Sequence, residues 1–188
     1  MMAGEGDPLT DGDIQRWCAE LRRWSAEEFT ARHQGLFLLV GQPSSASERV
    51  DFETCDAHNY LAKLTRASRS DHDELRVLRI EKSSRNPYTD RISLGRARNC
   101  DVVIRHPSVS KLHAHIRVEA GERYTIADVG SHNGTRVDDR PLVPHKPEPF
   151  MTGSVISFGT VVTQVLNGER LRRELLRLVG PLSVLSGR

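Results

Sequence analysis

From Glu74 to Leu166 the chain repeats short segments rich in β-branched residues: "LRVLRI", "RISLG", "DVVI", "HAHIRV", "RYTIAD", "TRV", "SVISFG" and "VVTQVL". Gly, Pro, Asn or Asp interrupts them about every eight to twelve residues, the rhythm of a β-sandwich or barrel. Within "HAHIRV", Ala114, Ile116 and Val118 share one parity while His113, His115 and Arg117 share the other. That period of two predicts antiparallel strands with one buried face.

The flanks follow a different period. Ile14, Trp17, Cys18, Leu21 and Trp24 recur at three and four residues, as one face of a helix requires. Thr10 with Asp13 resembles a capping box, and "SAEE" (Ser25 to Glu28) is a better one that starts a second helix ended by Gly35. "LFLLV" (Leu36 to Val40) is a candidate buried strand, Gly41 to Val50 is loop-like, and Asp56 to Ala67 is a candidate short helix. After Gly168, Leu171, Leu175 and Leu178 form a helical stripe that Gly180-Pro181 ends.

Composition narrows the function. A formal charge of +2, from 27 Lys and Arg against 25 Asp and Glu, is too small to argue for nucleic acid. Cys18, Cys55 and Cys100 are odd in number and lack CxxC spacing, which excludes a zinc or disulfide framework and fits a reducing compartment. The longest apolar run is far short of a membrane span, and the acidic start lacks a secretory signal. A cytoplasmic protein without membrane attachment is expected.

Polar residues crowd three loops of the β-rich part. "LGRARN" puts Arg96 after Gly95; "SVSKLHAHI" puts Ser110, Lys111 and His113 before a strand; "DVGSHNGTRV" holds Ser131, His132, Asn133, Gly134 and Thr135. Asn133-Gly134 predicts a type I′ hairpin turn, since both residues tolerate positive φ. A turn needs only those two, so the surrounding polarity marks a binding loop. No Ser lies in a nucleophile elbow, and His113-x-His115 lacks further ligands at metal spacing, so no catalytic or metal site is expected.

The ordered run "ISLGRARNCDVVI", "VSKLHAHI", "YTIADVGSHNGTRV" and "GSVISFG" resembles the forkhead-associated (FHA) domain over roughly residues 74–166, about half the chain. The resemblance implies an all-β fold: an FHA-type eleven-stranded β-sandwich, here with a helical N-terminal extension (1–70), the domain itself (71–168) and a short C-terminal helix and tail (169–188). It implies no catalytic activity and no cofactor. Its partner is a threonine-phosphorylated protein or peptide, with a Ser/Thr protein kinase among the candidates.

By that resemblance Arg96, Ser110 and Lys111 bind phosphate, and Asn133 grips the peptide main chain. Gly95, His113, Ser131, Gly134 and Thr135 support the site. His132 stands where many members carry Thr or Ser, and as an imidazolium it donates to phosphate, so binding is expected to strengthen below neutral pH. Ser154 replaces a frequent Asp in a turn remote from the phosphate. The function implied is a phosphothreonine-peptide-binding adaptor in Ser/Thr kinase signalling; the alternative is a phosphate-independent interaction or scaffold module of the same fold. Thr54, flanked by acidic residues, is a candidate ligand for the chain's own site once phosphorylated.

Overall fold

The period-two segments pair into two stacked sheets. The computed structural model describes residues 11–41, 75–119 and 123–179. Seven strands form one sheet in the order β1 (Asp11–Asp13), β3 (Leu75–Ile80), β2 (Leu36–Gly41), β12 (Val161–Asn167), β11 (Val155–Phe158), β8 (Thr135–Val137) and β9 (Arg140–Pro141). Five form the other: β10 (Glu148–Phe150), β7 (Arg123–Asp128), β6 (Ala114–Glu119), β4 (Ile92–Gly95) and β5 (Val102–Val103). All pairings are antiparallel except β4 with β5. The sandwich expected from the sequence is present, and β1 brings the described strands to twelve.

Side chains from both inner faces build the main core. Leu94, Ala114, Ile116 and Ile126 of the smaller sheet, with Ile104 just past β5, meet Leu38, Leu78, Ile156, Phe158 and Val165 of the larger. The outer face of the larger sheet is covered as well. Helices α1 (Ile14–Arg23), α2 (Ala26–Arg32) and α3 (Gly168–Val179) bury Trp17, Leu21, Phe29, Leu171 and Leu175 against Phe37, Leu39, Leu75 and Val77. The apolar stripes of the flanks thus add a third layer. α2 starts as its sequence requires: Ser25 Oγ accepts the Glu28 amide at 3.2 Å, and the Glu28 carboxylate accepts the Ser25 amide at 3.0 Å.

Three sequence expectations change. First, β2 lies between β3 and β12, so the boundary expected after residue 70 would cut a strand out of the larger sheet. Its run "LFLLV" is continuous because Leu36, Leu38 and Val40 face the sandwich core while Phe37 and Leu39 face the helices. Second, Asp11–Asp13 pair with β3 as an edge strand, where a helix cap was expected; Thr10 lies outside the described residues. So do the loop after Gly41, the candidate helix Asp56 to Ala67, and Thr54.

Third, Asn133-Gly134 is not a hairpin turn. β7 and β8 belong to different sheets, and of this pair only Gly134 has positive φ, at 74°. The two-residue turn with positive φ throughout is Asp138-Asp139, at 48° and 63°, joining β8 to β9. Asp138 is held there because its carboxylate accepts the Val155 amide at 2.8 Å and the Ser154 hydroxyl at 3.0 Å. The segment 129–134 instead carries the chain from one sheet to the other at the rim of the sandwich. Among the described residues no helix is long and apolar enough to cross a membrane.

Candidate functional site

Main-chain hydrogen bonds lace the three polar loops together. The Arg96 amide donates to Ser110 O at 3.0 Å, the Ala97 amide to Lys111 O at 3.1 Å, and the His113 amide to Leu94 O at 2.8 Å. Gly95 permits this approach, for a Cβ there would fall 2.3 Å from Lys111 O. The His132 amide donates to Ser110 Oγ at 3.0 Å, so that hydroxyl's own proton is left to donate elsewhere. Asn133 Nδ2 donates to Ser108 O at 2.8 Å, leaving the carboxamide oxygen and a second N–H. Arg96, Ser110, Lys111, His132 and Asn133 therefore sit on loops that touch one another.

Two buried groups hold these loops. His113 is fully buried; its Nδ1 accepts the Ser110 amide at 3.0 Å and its Nε2 lies 3.2 Å from Gly134 O. The ring packs edge-on to Phe158 with centroids 5.5 Å apart. Both bonds need the neutral imidazole with its proton on Nε2, and burial pushes the pKa below the usual value in the same direction. This inward ring breaks the strict alternation of "HAHIRV", as does Val118, which is exposed.

Asp128 is the second. One carboxylate oxygen accepts the Gly130 amide at 2.8 Å and the Ser131 amide at 2.7 Å; the other accepts the Ser131 and Thr135 hydroxyls, both at 2.6 Å. Burial alone would raise its pKa, but these bonds outweigh burial and hold it below the usual carboxylate value. Ser131 and Thr135 thus spend their hydroxyls on Asp128. The sequence reading did not single out Asp128, although Asp followed two residues later by Gly is an Asx-turn signal.

Ser108 was also missed, and no local pattern marks it. Its carbonyl takes Asn133, while its hydroxyl meets the Thr160 amide at 3.1 Å and His106 Nδ1 at 2.8 Å. The β11–β12 turn thereby braces the loop carrying Asn133. Among the described residues, no hydrogen bond or ion pair engages the side-chain charges of Arg96 and Lys111, and both residues are exposed. A rigid polar rim with two uncompensated cations, a free hydroxyl proton and a spare carboxamide is suited to an anionic group on a peptide.

Residues 92–159 of the chain match the family model of the FHA domain. Over 67 residues, 35% of this chain, it is 33% identical to the FHA domain-containing protein PS1 of Arabidopsis thaliana, of which it spans 4%. Over 51 residues, 27% of the chain, it is 45% identical to Protein FraH of Nostoc sp., of which it spans 17%. The chain therefore covers only a small part of these relatives. Among solved structures, the N-terminal FHA domain of S. cerevisiae Rad53p, in complex with a phosphothreonine peptide, aligns with a TM-score of 0.42 at 14% identity. That alignment covers 74% of this chain and 98% of the yeast domain. The FHA domain of CT664 from Chlamydia trachomatis aligns with a TM-score of 0.45 at 16% identity, over 71% of this chain and 98% of that one.

Proposed function

We propose that this protein is a non-catalytic adaptor that binds a threonine-phosphorylated partner in Ser/Thr kinase signalling. Arg96 forks onto the phosphate, the Ser110 hydroxyl donates its remaining proton, and Lys111 adds a second cation. His132 donates from its ring, and Asn133 holds the peptide main chain with the part of its carboxamide that Ser108 leaves unused. Gly95, His113, Ser131, Gly134 and Thr135 keep these groups in register. A cytoplasmic setting belongs to the same reading, because the mark is made by kinases that use intracellular ATP.

The observation that carries the proposal is the direct lacing of three loops whose two cations lack an anionic partner among the described residues. Hydrogen bonds to charged groups contribute about 1.5–3 kcal/mol each. Loss of the Arg96 fork then weakens binding by roughly a hundredfold or more. An oriented phosphothreonine-peptide library, screened against wild type and Arg96→Ala, tests this. Retention by wild type, lost in a variant that melts at the same temperature, is the expected result. Equal retention of peptides with unmodified threonine would favour the phosphate-independent module.

A further inference from the structure

A second cationic feature lies beside this site, where β3 of the larger sheet approaches β5, the edge strand of the smaller. It is an open cleft of about 180 Å³ with Leu78, Val102 and Val103 as its apolar part. Arg79, Arg85, Arg98 and Arg105 surround it. Arg79 is engaged, with Nε 3.4 Å from the Glu81 carboxylate and Nη2 donating to Gln34 O at 2.9 Å. Arg85 gives one N–H to Arg98 O at 3.3 Å. Among the described residues no carboxylate pairs with Arg85, Arg98 or Arg105.

Asp101 also lines the cleft but does not neutralise it. The carboxylate is buried, and each of its oxygens already accepts three hydrogen bonds, from Lys82 and Ser83 on one and from Asn86 and Ser93 on the other. Lys82 balances its charge. Three guanidiniums thus face one small space uncompensated, which repels itself until an anion enters. The volume is below the roughly 300–1,000 Å³ of small-molecule pockets, so it suits one side-chain head. Several forked donors favour a phosphate dianion over a singly charged carboxylate.

The cleft is built partly on the strand and loop that carry or adjoin Arg96. The Ile104 amide donates to Gly95 O at 3.0 Å, and the parallel register places Arg105 one residue past the position opposite Arg96. Arg98 stands two residues beyond Arg96 on the same loop. An extended peptide advances about 3.3 Å per residue, so a ligand held at Arg96 reaches the cleft within roughly two to five residues. We propose that the cleft binds a second phosphorylated residue of the same partner, making this chain a reader of doubly phosphorylated segments. This rests on the phosphothreonine reading above.

Fluorescence anisotropy with labelled peptides tests it. One peptide carries phosphothreonine alone; others add phosphoserine, or glutamate, two to five residues away on either side; a last carries the phosphoserine alone. Wild type is expected to bind at least one doubly phosphorylated spacing tenfold or more tighter than the singly phosphorylated peptide, with glutamate recovering only part. An Arg98→Ala/Arg105→Ala variant loses that gain while binding the phosphothreonine peptide as wild type does and melting at the same temperature. No gain at any spacing, or a gain that survives in the double variant, overturns the proposal. So does an oligonucleotide that binds equally tightly and depends on Arg98 and Arg105. If wild type does not distinguish phosphothreonine from threonine, the main-site reading fails instead, and phosphoserine-only binding that needs Arg98 and Arg105 still identifies the cleft.

Discussion

His113 Nδ1 accepts the main-chain amide of Ser110 at 3.0 Å, so a fully buried ring sets the position of an amide on the rim of the sandwich. Replacing the ring with His113→Phe keeps its bulk against Phe158 but leaves the Ser110 amide without this acceptor. An orphaned buried donor costs about 1–3 kcal/mol. Urea denaturation is expected to show that loss, together with weakened phosphopeptide binding, because the Ser110 loop is no longer pinned. An unchanged midpoint with unchanged binding would show that the ring only fills space.

Gly95→Ala probes the same junction from the other side. The added Cβ meets Lys111 O at 2.3 Å, a backbone atom that has no flexible end to swing away. The strand ends must separate, which breaks the bonds from the Arg96 and Ala97 amides. Overpacking of this kind costs about 1–3 kcal/mol. Both the melting temperature and peptide affinity are expected to fall, in contrast to Arg96→Ala, where only affinity falls.

The two residues of the β8–β9 turn are expected to respond in opposite senses. Asp139 adopts a φ of 63° with an exposed side chain, so Asp139→Gly removes left-handed strain and stabilises by on the order of 0.5–1 kcal/mol. Asp138 has a φ of 48° but accepts the buried Val155 amide, so Asp138→Ala adds strain and orphans a donor. It is expected to destabilise by about 1–3 kcal/mol. Thermal melts of the two variants shifting in the same direction would contradict the assignment.

Stability is expected to fall on mild acidification. Burial lowers the pKa of His33, His106, His113 and His115, the last aided by Arg91 and Arg117. In the unfolded chain these groups titrate near 6.5. Below that pH the unfolded state binds more protons than the native one, so the stabilisation present above about pH 6.5 is lost as pH falls toward the lower native values. Asp101 and Asp128 add a second, more acidic loss. Burial opposes their ionisation, yet hydrogen bonds hold both below the ordinary carboxylate range, so their contribution persists above about pH 4 and disappears below it. Urea midpoints measured from pH 8 to about pH 2 check both parts; a flat profile between about pH 7.5 and 5.5 would rule out the histidine part.

Local chemistry was legible wherever a short stretch decides its own structure. Short runs rich in β-branched residues identified β3, β4, β5, β6, β7, β8, β11 and β12, the Ser25–Glu28 pair started α2, and the leucine stripe of α3 is buried as its spacing requires. β9 and β10 were hidden by Pro141 and Pro149, residues that sheets accept at their edges, where these two strands lie. The resemblance named three loops by the motifs that hold Arg96, Ser110 and Asn133, and the fold brings those loops into contact. Asp128 was readable in principle from the turn it caps; Ser108 was not, since its partners His106, Asn133 and Thr160 converge only through folding.

By itself the chain determined most of the segments that become strand or helix, since backbone preference and side-chain period act over a few residues. The tertiary structure decided which sheet each strand joins. "DVGSHNGTRV" therefore crosses between sheets instead of doubling back, and the turn with positive φ throughout falls on Asp138-Asp139. It also decided that β2 stands inside the larger sheet and that Arg98 and Arg105 share one cleft. Those outcomes depend on burying two faces of one sheet at once and on satisfying each buried donor with an acceptor distant in sequence, a balance that no local window contains.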